Sequence, residues 1–112
     1  MFYKFEIGQI NNIIDITDNL NSRKFENRDL ISNLDYIIFD IQDIGSRYYT
    51  YISTMTNMMS ICAQLGIKFY VLDRPNPISG SINGPVLNKD FSSFVGMHPI
   101  PLLHGMTVAE LA

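Results

Sequence analysis

Residues 35–51, DYIIFDIQDIGSRYYTY, decide how this chain is expected to fold. The letters YIIF at 36–39 form an apolar run that is too short for a helix and rich in strand-forming side chains. Asp40 ends the run, and polar residues with one glycine follow it at once. Open α/β sheets bind ligands at the carboxyl ends of their strands. The segment therefore predicts a buried strand that delivers polar side chains to a ligand-binding edge.

Two further segments complete a strand–helix–strand unit. Apolar residues recur at three- and four-residue steps, which predicts a helix over 47–65 with one buried stripe: Tyr48, Tyr51, Ile52, Met55, Met59, Cys62 and Leu65. Gly66 stands where a glycine commonly ends a helix. The letters KFYVLD at 68–73 predict a second strand. Because the helix connects them, the two strands should be parallel, and the fold class is α/β with a βαβ core.

The segments outside this unit are harder to interpret. Residues 1–34 show no sustained hydrophobic period, and we treat them as a separate segment. Residues 74–84 are rich in turn formers, and 84–87 and 94–103 are extended pieces broken by prolines. Thr107 and Glu110 have the spacing of a capping box, so a helix should begin there. Because that helix would begin so close to Ala112, we expect a domain truncated at its C-terminal end.

Composition limits the function classes. With 112 residues, 46% of them hydrophobic and 17% charged, the chain suits one small globular domain. A net charge of −3 gives no electrostatic support for nucleic-acid binding. No apolar run reaches the roughly 18 residues of a membrane-spanning helix, and the first residues do not resemble a signal peptide. Cys62 is the one cysteine, so an internal disulfide is excluded, and its place in the stripe predicts a buried packing role.

Three aspartates are candidates for chemistry. Asp40 and Asp73 each end a predicted strand, and Asp43 follows closely after Asp40. If the strands are neighbours, these carboxylates share one edge, where they can serve as general acid and base, as a nucleophile or as metal ligands. An alternative is structural: Asp40 then caps the turn through backbone N–H groups, and Asp73 pairs with Arg74 or Arg47.

The residues before the predicted helix suggest a way to bind an anion or a sugar. A helix that begins after Gly45 and Ser46 presents free N–H groups to an anion, and Arg47 suits a carboxylate. The alternative for Arg47 is an ion pair with Asp43 or Asp73. Tyr49 lies off the apolar stripe, so it is the tyrosine that we expect to contact a substrate.

Two histidines lie in the proline-containing C-terminal part. His98 and His104 are six residues apart, which is not a zinc-ligand spacing on a helix, and we predict no metal site. His104 precedes the predicted C-terminal helix, where a loop histidine can act as an acid, a base or a hydrogen-bond donor to substrate. A structural role is equally compatible with its position.

Four strings together resemble one protein family: IIFDIQDIGSRYYTYISTM, FYVLDRPNPISG, INGPVL and SFVGMHPIPLLHGMTVAELA. Over residues 35–112 the chain resembles the exo-β-N-acetylmuramidases of the NamZ type. The resemblance implies a partial Rossmann-like N-terminal domain that forms an active-site cleft with a second domain. It implies hydrolytic release of terminal N-acetylmuramic acid from peptidoglycan fragments, without a cofactor. It also implies export, which is general among family members, although this chain shows no signal.

The resemblance also carries site residues over to this sequence. The resemblance does not assign the role of each residue, and we predict that Asp43, Asp73 and His104 are catalytic. We predict that the other carried-over residues bind substrate: Asp40, Gln42, Arg47, Tyr49, Arg74, Asn76 and His98. The expected partner is a peptidoglycan-derived sugar or muropeptide. Family members are several times longer and carry a segment with glycine, glutamate and histidine upstream of the first strand, which we do not find here. The alternative is therefore a non-catalytic remnant or a sugar- or muropeptide-binding module.

Overall fold

The structure, a computed structural model, describes residues 31–112. Most of the segment 1–34, in which the sequence predicts a loop and a short helix near residues 28–33, lies outside the described residues. The described part contains four strands, β1 Tyr36–Phe39, β2 Lys68–Val71, β3 Asn83–Val86 and β4 Pro101–Leu103, and the helix α1 Tyr51–Leu65. Two single turns of 3₁₀ helix cover Lys89–Phe91 and Ala109–Leu111.

The predicted βαβ unit is confirmed. β1 and β2 pair in parallel, with Tyr36 opposite Lys68 and Phe39 opposite Val71, and α1 lies between them in sequence. Along β1, Ile37 and Phe39 are buried, whereas the side chains that alternate with them are exposed. One face of β1 therefore packs on the core, as the period of two along a strand requires.

Two adjoining apolar clusters hold α1 against this sheet. In the first, Ile37 packs with Met58 and Cys62, and in the second, Phe39 packs with Met55 and Val108. Full burial of such a side chain stabilises the fold by about 1.5–3 kcal/mol. Val108 comes from the C-terminal segment, so the second cluster fixes that segment beside the carboxyl end of β1.

The predicted beginning of the helix is wrong and its predicted end is confirmed. The helix begins at Tyr51 and not near residue 47. Ser46 forms an antiparallel bridge with Leu103, and the Arg47 N–H donates to the Leu102 carbonyl oxygen at 2.9 Å. Backbone that pairs with a strand cannot also form helical hydrogen bonds. At the other end, Gly66 adopts φ 70° and closes the helix as predicted.

The late start of the helix also corrects the predicted stripe. Tyr48 lies in the turns before the helix and is 67% exposed, and Tyr51 in its first turn is 41% exposed. The remaining members of the stripe face the core or its margin, and Cys62 is buried as predicted. Ser53 and Thr54 are buried near the start of the helix, which an apolar period cannot reveal.

The two extended pieces pair with each other. β3 and β4 are antiparallel, with Asn83 opposite Leu103 and an irregularity before Val86. This irregularity contains Gly84, whose φ of 82° suits glycine, and a proline that cannot donate to a strand partner. On its other side, β4 contacts Ser46, so it connects the β3 segment with the loop after β1.

The predicted C-terminal helix is only one turn of 3₁₀ helix, Ala109–Leu111, but its capping box forms. The Thr107 N–H donates to Glu110 Oε2 at 2.9 Å, and the Glu110 N–H donates to Thr107 Oγ1 at 3.3 Å. Among residues 31–112, no helix is long and apolar enough to cross a membrane.

The packing of α1 gives a first test. Met55 is fully buried between β1 and the C-terminal segment. We expect Met55→Ala to lower the free energy of unfolding by about 2–5 kcal/mol, because it removes buried contacts and leaves a cavity. Urea denaturation of the chain measures this change. The control, Tyr48→Ala at an exposed position, should change it by no more than about 0.5 kcal/mol. Equal effects of the two substitutions would contradict this packing.

Cys62 gives a second test, of pH dependence. Burial raises the pKa of the Cys62 thiol above its ordinary value of 9.0, because the interior disfavours the thiolate. The folded chain therefore holds the thiol proton more tightly than the unfolded chain does. The protonated thiol thus favours the folded state. Its contribution to the free energy of unfolding is complete below pH 9 and is lost as the pH rises through the raised pKa of the folded chain.

Labelling with a thiol reagent at pH 8 should accordingly be much slower for the folded chain than for the chain in urea. Cys62→Ala provides the control for the pH dependence, because it has no thiol to ionise. Its free energy of unfolding should therefore decrease less above pH 9 than that of the unmodified chain. Fast labelling of the folded chain would show that the thiol is accessible.

Candidate functional site

A crevice lies beside the carboxyl end of β1, where the sequence predicts a ligand edge. Three loops surround it: the one after β1, the one after β2 and the one after β4. They contribute Gln42, Asp43, Gly45, Arg74, Asn76, Pro77, His104, Met106, Thr107 and Val108. The crevice contains about 160 Å³ of space between atoms, including space open to solvent. The lining side chains leave almost no room between them for a water molecule, so the crevice is narrow in this structure.

Asp43 is the carboxylate inside the crevice. The residue is 2% exposed, and its Oδ2 accepts a hydrogen bond from the Gly45 N–H at 2.9 Å. This bond is local and fixes the turn after β1. The other carboxylate oxygen, Oδ1, is buried without a hydrogen-bond partner. A buried acceptor without a donor is costly, so Oδ1 is an acceptor that the described part of the chain leaves unsatisfied.

His104 meets Asp43 from the opposite loop. It is 2% exposed, and its Nδ1 accepts the Met106 N–H at 3.2 Å. Since Nδ1 acts as an acceptor, the neutral ring carries its hydrogen on Nε2. Nε2 lies 3.8 Å from Asp43 Oδ2, which is within reach of an electrostatic contact but beyond hydrogen-bond distance, and it has no hydrogen-bond partner. The crevice therefore holds one free buried acceptor and one free buried donor.

Asn76 joins the loops that carry these two residues. Its Nδ2 donates to the Met106 carbonyl oxygen at 3.0 Å, and its Oδ1 accepts the Ile78 N–H at 3.0 Å. Gly45 lies directly against this amide: a Cβ at residue 45 would stand 2.1 Å from Asn76 Oδ1. The Asn76 amide is thus engaged within the protein, where it holds the loops after β1, β2 and β4 together.

The rim of the crevice carries an ion pair. Arg74 Nη2 contacts Asp40 Oδ1, and about half of each side chain is exposed. Ion pairs in water stabilise by only about 0–1 kcal/mol, so the pair can open at low cost. Asp40 therefore pairs with Arg74 and does not cap the turn, a role that Asp43 takes. Gln42 also lines the crevice, and its Nε2 donates to the Asp43 carbonyl oxygen at 2.7 Å.

Besides Asp40 at the rim, four other predicted site residues do not line the crevice. Asp73 Oδ1 accepts the Ala109 N–H at 2.9 Å, and Arg47 Nη2 donates to the Pro85 carbonyl oxygen at 3.3 Å. Within residues 31–112, neither makes the ion pair that the sequence left open. His98 Nε2 and a helix hydroxyl, Thr56 Oγ1, are 2.9 Å apart. Tyr49 is exposed beside another tyrosine.

The structure also reveals residues that sequence reasoning did not assign to the site. Gly45 and Gly105 build it, because their φ values of 87° and 69° allow both loops to turn sharply. A Cβ on Gly105 would stand 2.6 Å from the Gly80 carbonyl oxygen. The signal was the glycine two residues after Asp43, a spacing typical of an aspartate that bonds its own turn. Nowhere in the described part do three histidine, cysteine or acidic side chains come together as a metal site.

The family model "Exo-beta-N-acetylmuramidase NamZ, N-terminal" matches residues 9–112. The chain belongs to this family. The resemblance of the four strings to NamZ-type proteins is thereby confirmed, and the match begins well upstream of Asp35. A NamZ relative, the peptidoglycan β-N-acetylmuramidase NamZ of Bacillus subtilis (strain 168), is 54% identical over 85 residues. These residues are 75% of this chain and 20% of that protein.

Two crystal structures of DUF1343 family proteins from Bacteroides fragilis NCTC 9343 share the fold of this NamZ family chain. One is 46% identical with a TM-score of 0.70, and the match covers 75% of this chain and 22% of that protein. The other is 44% identical with a TM-score of 0.71, and the match covers 74% and 24%. The chain thus spans about a fifth to a quarter of the length of the NamZ relatives that it matches.

A series of glycine substitutions tests how the crevice is built. In Gly80→Ala the added Cβ has no atom within 4 Å, and the backbone φ is one that alanine adopts without strain. This substitution should change the free energy of unfolding by no more than about 1 kcal/mol. Gly66→Ala meets open space at φ 70° and should cost about 1–2 kcal/mol. Gly45→Ala adds a clash with Asn76 to the same strain, so its cost should be the largest. Urea denaturation of the three variants measures this order, and equal costs at 45 and 66 would show that Asn76 does not press on Gly45.

Proposed function

We propose that this chain is a part of a glycoside hydrolase of the exo-β-N-acetylmuramidase type and that its crevice forms one wall of the sugar-binding cleft. The substrate class is the terminal N-acetylmuramic acid of peptidoglycan fragments. The observation that carries the proposal is the buried pair of Asp43 and His104. In a chain of the NamZ family, these two side chains face one crevice with a free acceptor and a free donor.

The crevice has the chemistry that a sugar requires. Asp43 supplies a carboxylate oxygen, His104 supplies a ring N–H, and the side chains of Gln42 and Arg74 add donors at the margin. Sugar hydroxyls both donate and accept, so a wall that mixes acceptors and donors suits them. The crevice is smaller than a usual ligand pocket, so a sugar would need a second wall. We place that wall in the larger part of the relatives that this chain does not match.

We assign Asp43 the role of stabilising the positive charge of the transition state. Glycoside hydrolysis passes through an oxocarbenium-like transition state, flanked in most enzymes by two carboxyl groups. A buried carboxylate acts strongly on a positive charge that develops beside it, because little water screens it. His104 Nε2–H would hold a substrate oxygen in place at the same time. The second carboxyl group would come from outside the described crevice.

A specific observation favours the alternative, a module that binds sugar without turnover. Of residues 31–112, only Asp43 presents a carboxylate to the crevice. Asp40 is paired with Arg74 at the rim, and Asp73 accepts a backbone N–H of the last 3₁₀ turn. One carboxylate is enough to bind a hydroxyl group, whereas hydrolysis usually requires two.

Hydrolysis of a chromogenic β-glycoside of N-acetylmuramic acid separates the two functions. We expect Asp43→Asn, made in this chain and at the equivalent position of the Bacillus subtilis relative, to lower kcat/KM about 100-fold or more wherever turnover is measurable. Asp73→Asn tests the remaining predicted catalytic carboxylate, and its position outside the crevice predicts a much smaller effect. Asp90→Asn, an exposed aspartate in the first 3₁₀ turn, is the control.

Each outcome decides between the readings. Sugar binding by this chain without release of the chromophore would favour the binding module. Neither binding nor release by the chain, with a relative that tolerates Asp43→Asn at the equivalent position, would refute the proposed cleft wall.

A further inference from the structure

We propose that Asp43 Oδ1 and His104 Nε2 together bind a single hydroxyl group on the ring of the sugar. In this arrangement the hydroxyl donates its hydrogen to Asp43 and accepts the ring N–H of His104. The inference rests on the proposed function, because it takes the crevice as a wall of the sugar cleft. It deepens that function by assigning one substrate group to two named atoms.

Neighbouring backbone groups fix the polarity of both atoms. The Met106 N–H donates a hydrogen bond to His104 Nδ1, so Nδ1 carries no hydrogen and Nε2 is the donor of the ring. The Gly45 N–H occupies Asp43 Oδ2, so Oδ1 remains as the free acceptor. Both side chains are more than nine-tenths buried. Water therefore competes weakly for the two atoms, and an unpaired atom at this depth is costly.

The pair selects a hydroxyl group among common ligand groups. A carboxylate only accepts, so it would be repelled by Asp43 while it satisfied His104. An ammonium group only donates, so it would leave His104 unpaired. A hydroxyl group does both and satisfies both atoms at once. The carboxylate that distinguishes N-acetylmuramic acid from N-acetylglucosamine therefore binds elsewhere, and this pair contacts the part that both sugars share.

The rim allows the hydroxyl to enter. Oδ1 and Nε2 are covered in the structure, so the crevice must widen when the sugar binds. The Arg74–Asp40 pair at the rim is half exposed and contributes little stability. Arg74 lines the crevice and contacts the side chain and the carbonyl oxygen of Asp40, whereas the Asn76 amide holds the loops together, so we assign the widening to movement of Arg74.

Matched variants exist for both atoms. Asp43→Asn keeps an oxygen for the Gly45 N–H and places an amide donor where Oδ1 accepts. His104→Asn keeps an oxygen near the position of Nδ1 for the Met106 N–H and removes the donor at Nε2. His104→Gln places an amide donor near the position of Nε2. Asp90→Asn removes an exposed carboxylate far along the chain from the crevice.

The test titrates N-acetylmuramic acid into the 112-residue chain and follows backbone amide signals by NMR, which detects millimolar affinities. Asp43→Asn and His104→Asn should each weaken binding about 10-fold or more. His104→Gln should weaken it less than His104→Asn, and Asp90→Asn should leave it unchanged. N-acetylglucosamine should show the same ratios between variants, because the pair does not contact the carboxylate.

Monodeoxy analogues make the test independent of the variants. Removal of one particular ring hydroxyl should weaken binding to the unmodified chain about 10-fold. In Asp43→Asn the same removal should have almost no further effect, because the partner is already lost. If every monodeoxy analogue binds like the parent sugar, the free atoms hold water or nothing, and the inference is wrong. If the chain does not bind N-acetylmuramic acid, the same titrations are made with the Bacillus subtilis relative and its equivalent variants, and a relative whose binding tolerates Asp43→Asn overturns the proposed function as well.

Discussion

The backbone pairing between the loop after β1 and strand β4 is the contact on which the site depends. Ser46 bridges Leu103, and the Arg47 N–H donates to the Leu102 carbonyl oxygen. This pairing brings Asp43 and His104, which lie on different parts of the chain, to either side of one crevice. Val108 reinforces it by packing beside Met55 in the core. The hydrogen bonds of Asn76 to Met106 and of Ala109 to Asp73 hold the same segment further along the chain.

The same pairing explains which parts of the fold could be predicted. The βαβ unit depends on short-range patterns: an apolar run at 36–39, a helical period to residue 65 and a glycine that ends the helix. These patterns act within a few residues, so they are visible in the sequence. The beginning of α1 depends on β4, because the backbone at residues 46 and 47 forms hydrogen bonds with that strand and cannot form helical ones. Nothing near residue 47 indicates that distant partner, and the local period therefore extended the predicted helix too far.

The candidate site shows the same division. Asp43 and His104 could be selected because each is a polar residue in a loop beside a strand or a turn. Their proximity could not be derived, since it requires the antiparallel pairing of β4. Asn76 was selected as a ligand for substrate, whereas the structure uses its amide to join loops. A sequence identifies an amide but does not show which hydrogen-bond partners the fold brings to it.

The attachment of the C-terminal segment has a consequence for how the molecule opens. The strands of the βαβ unit pair across 32 residues of sequence, from Tyr36 to Lys68, whereas the bridge from Ser46 to Leu103 spans 57 residues and must close a larger loop. The C-terminal loops also bury few side chains, of which Val108 is the main anchor. The crevice can therefore detach as a cooperative unit while the sheet and α1 remain folded. Amide hydrogens around residues 102–106 would then exchange with solvent sooner than those of α1, so the site would be lost before the fold.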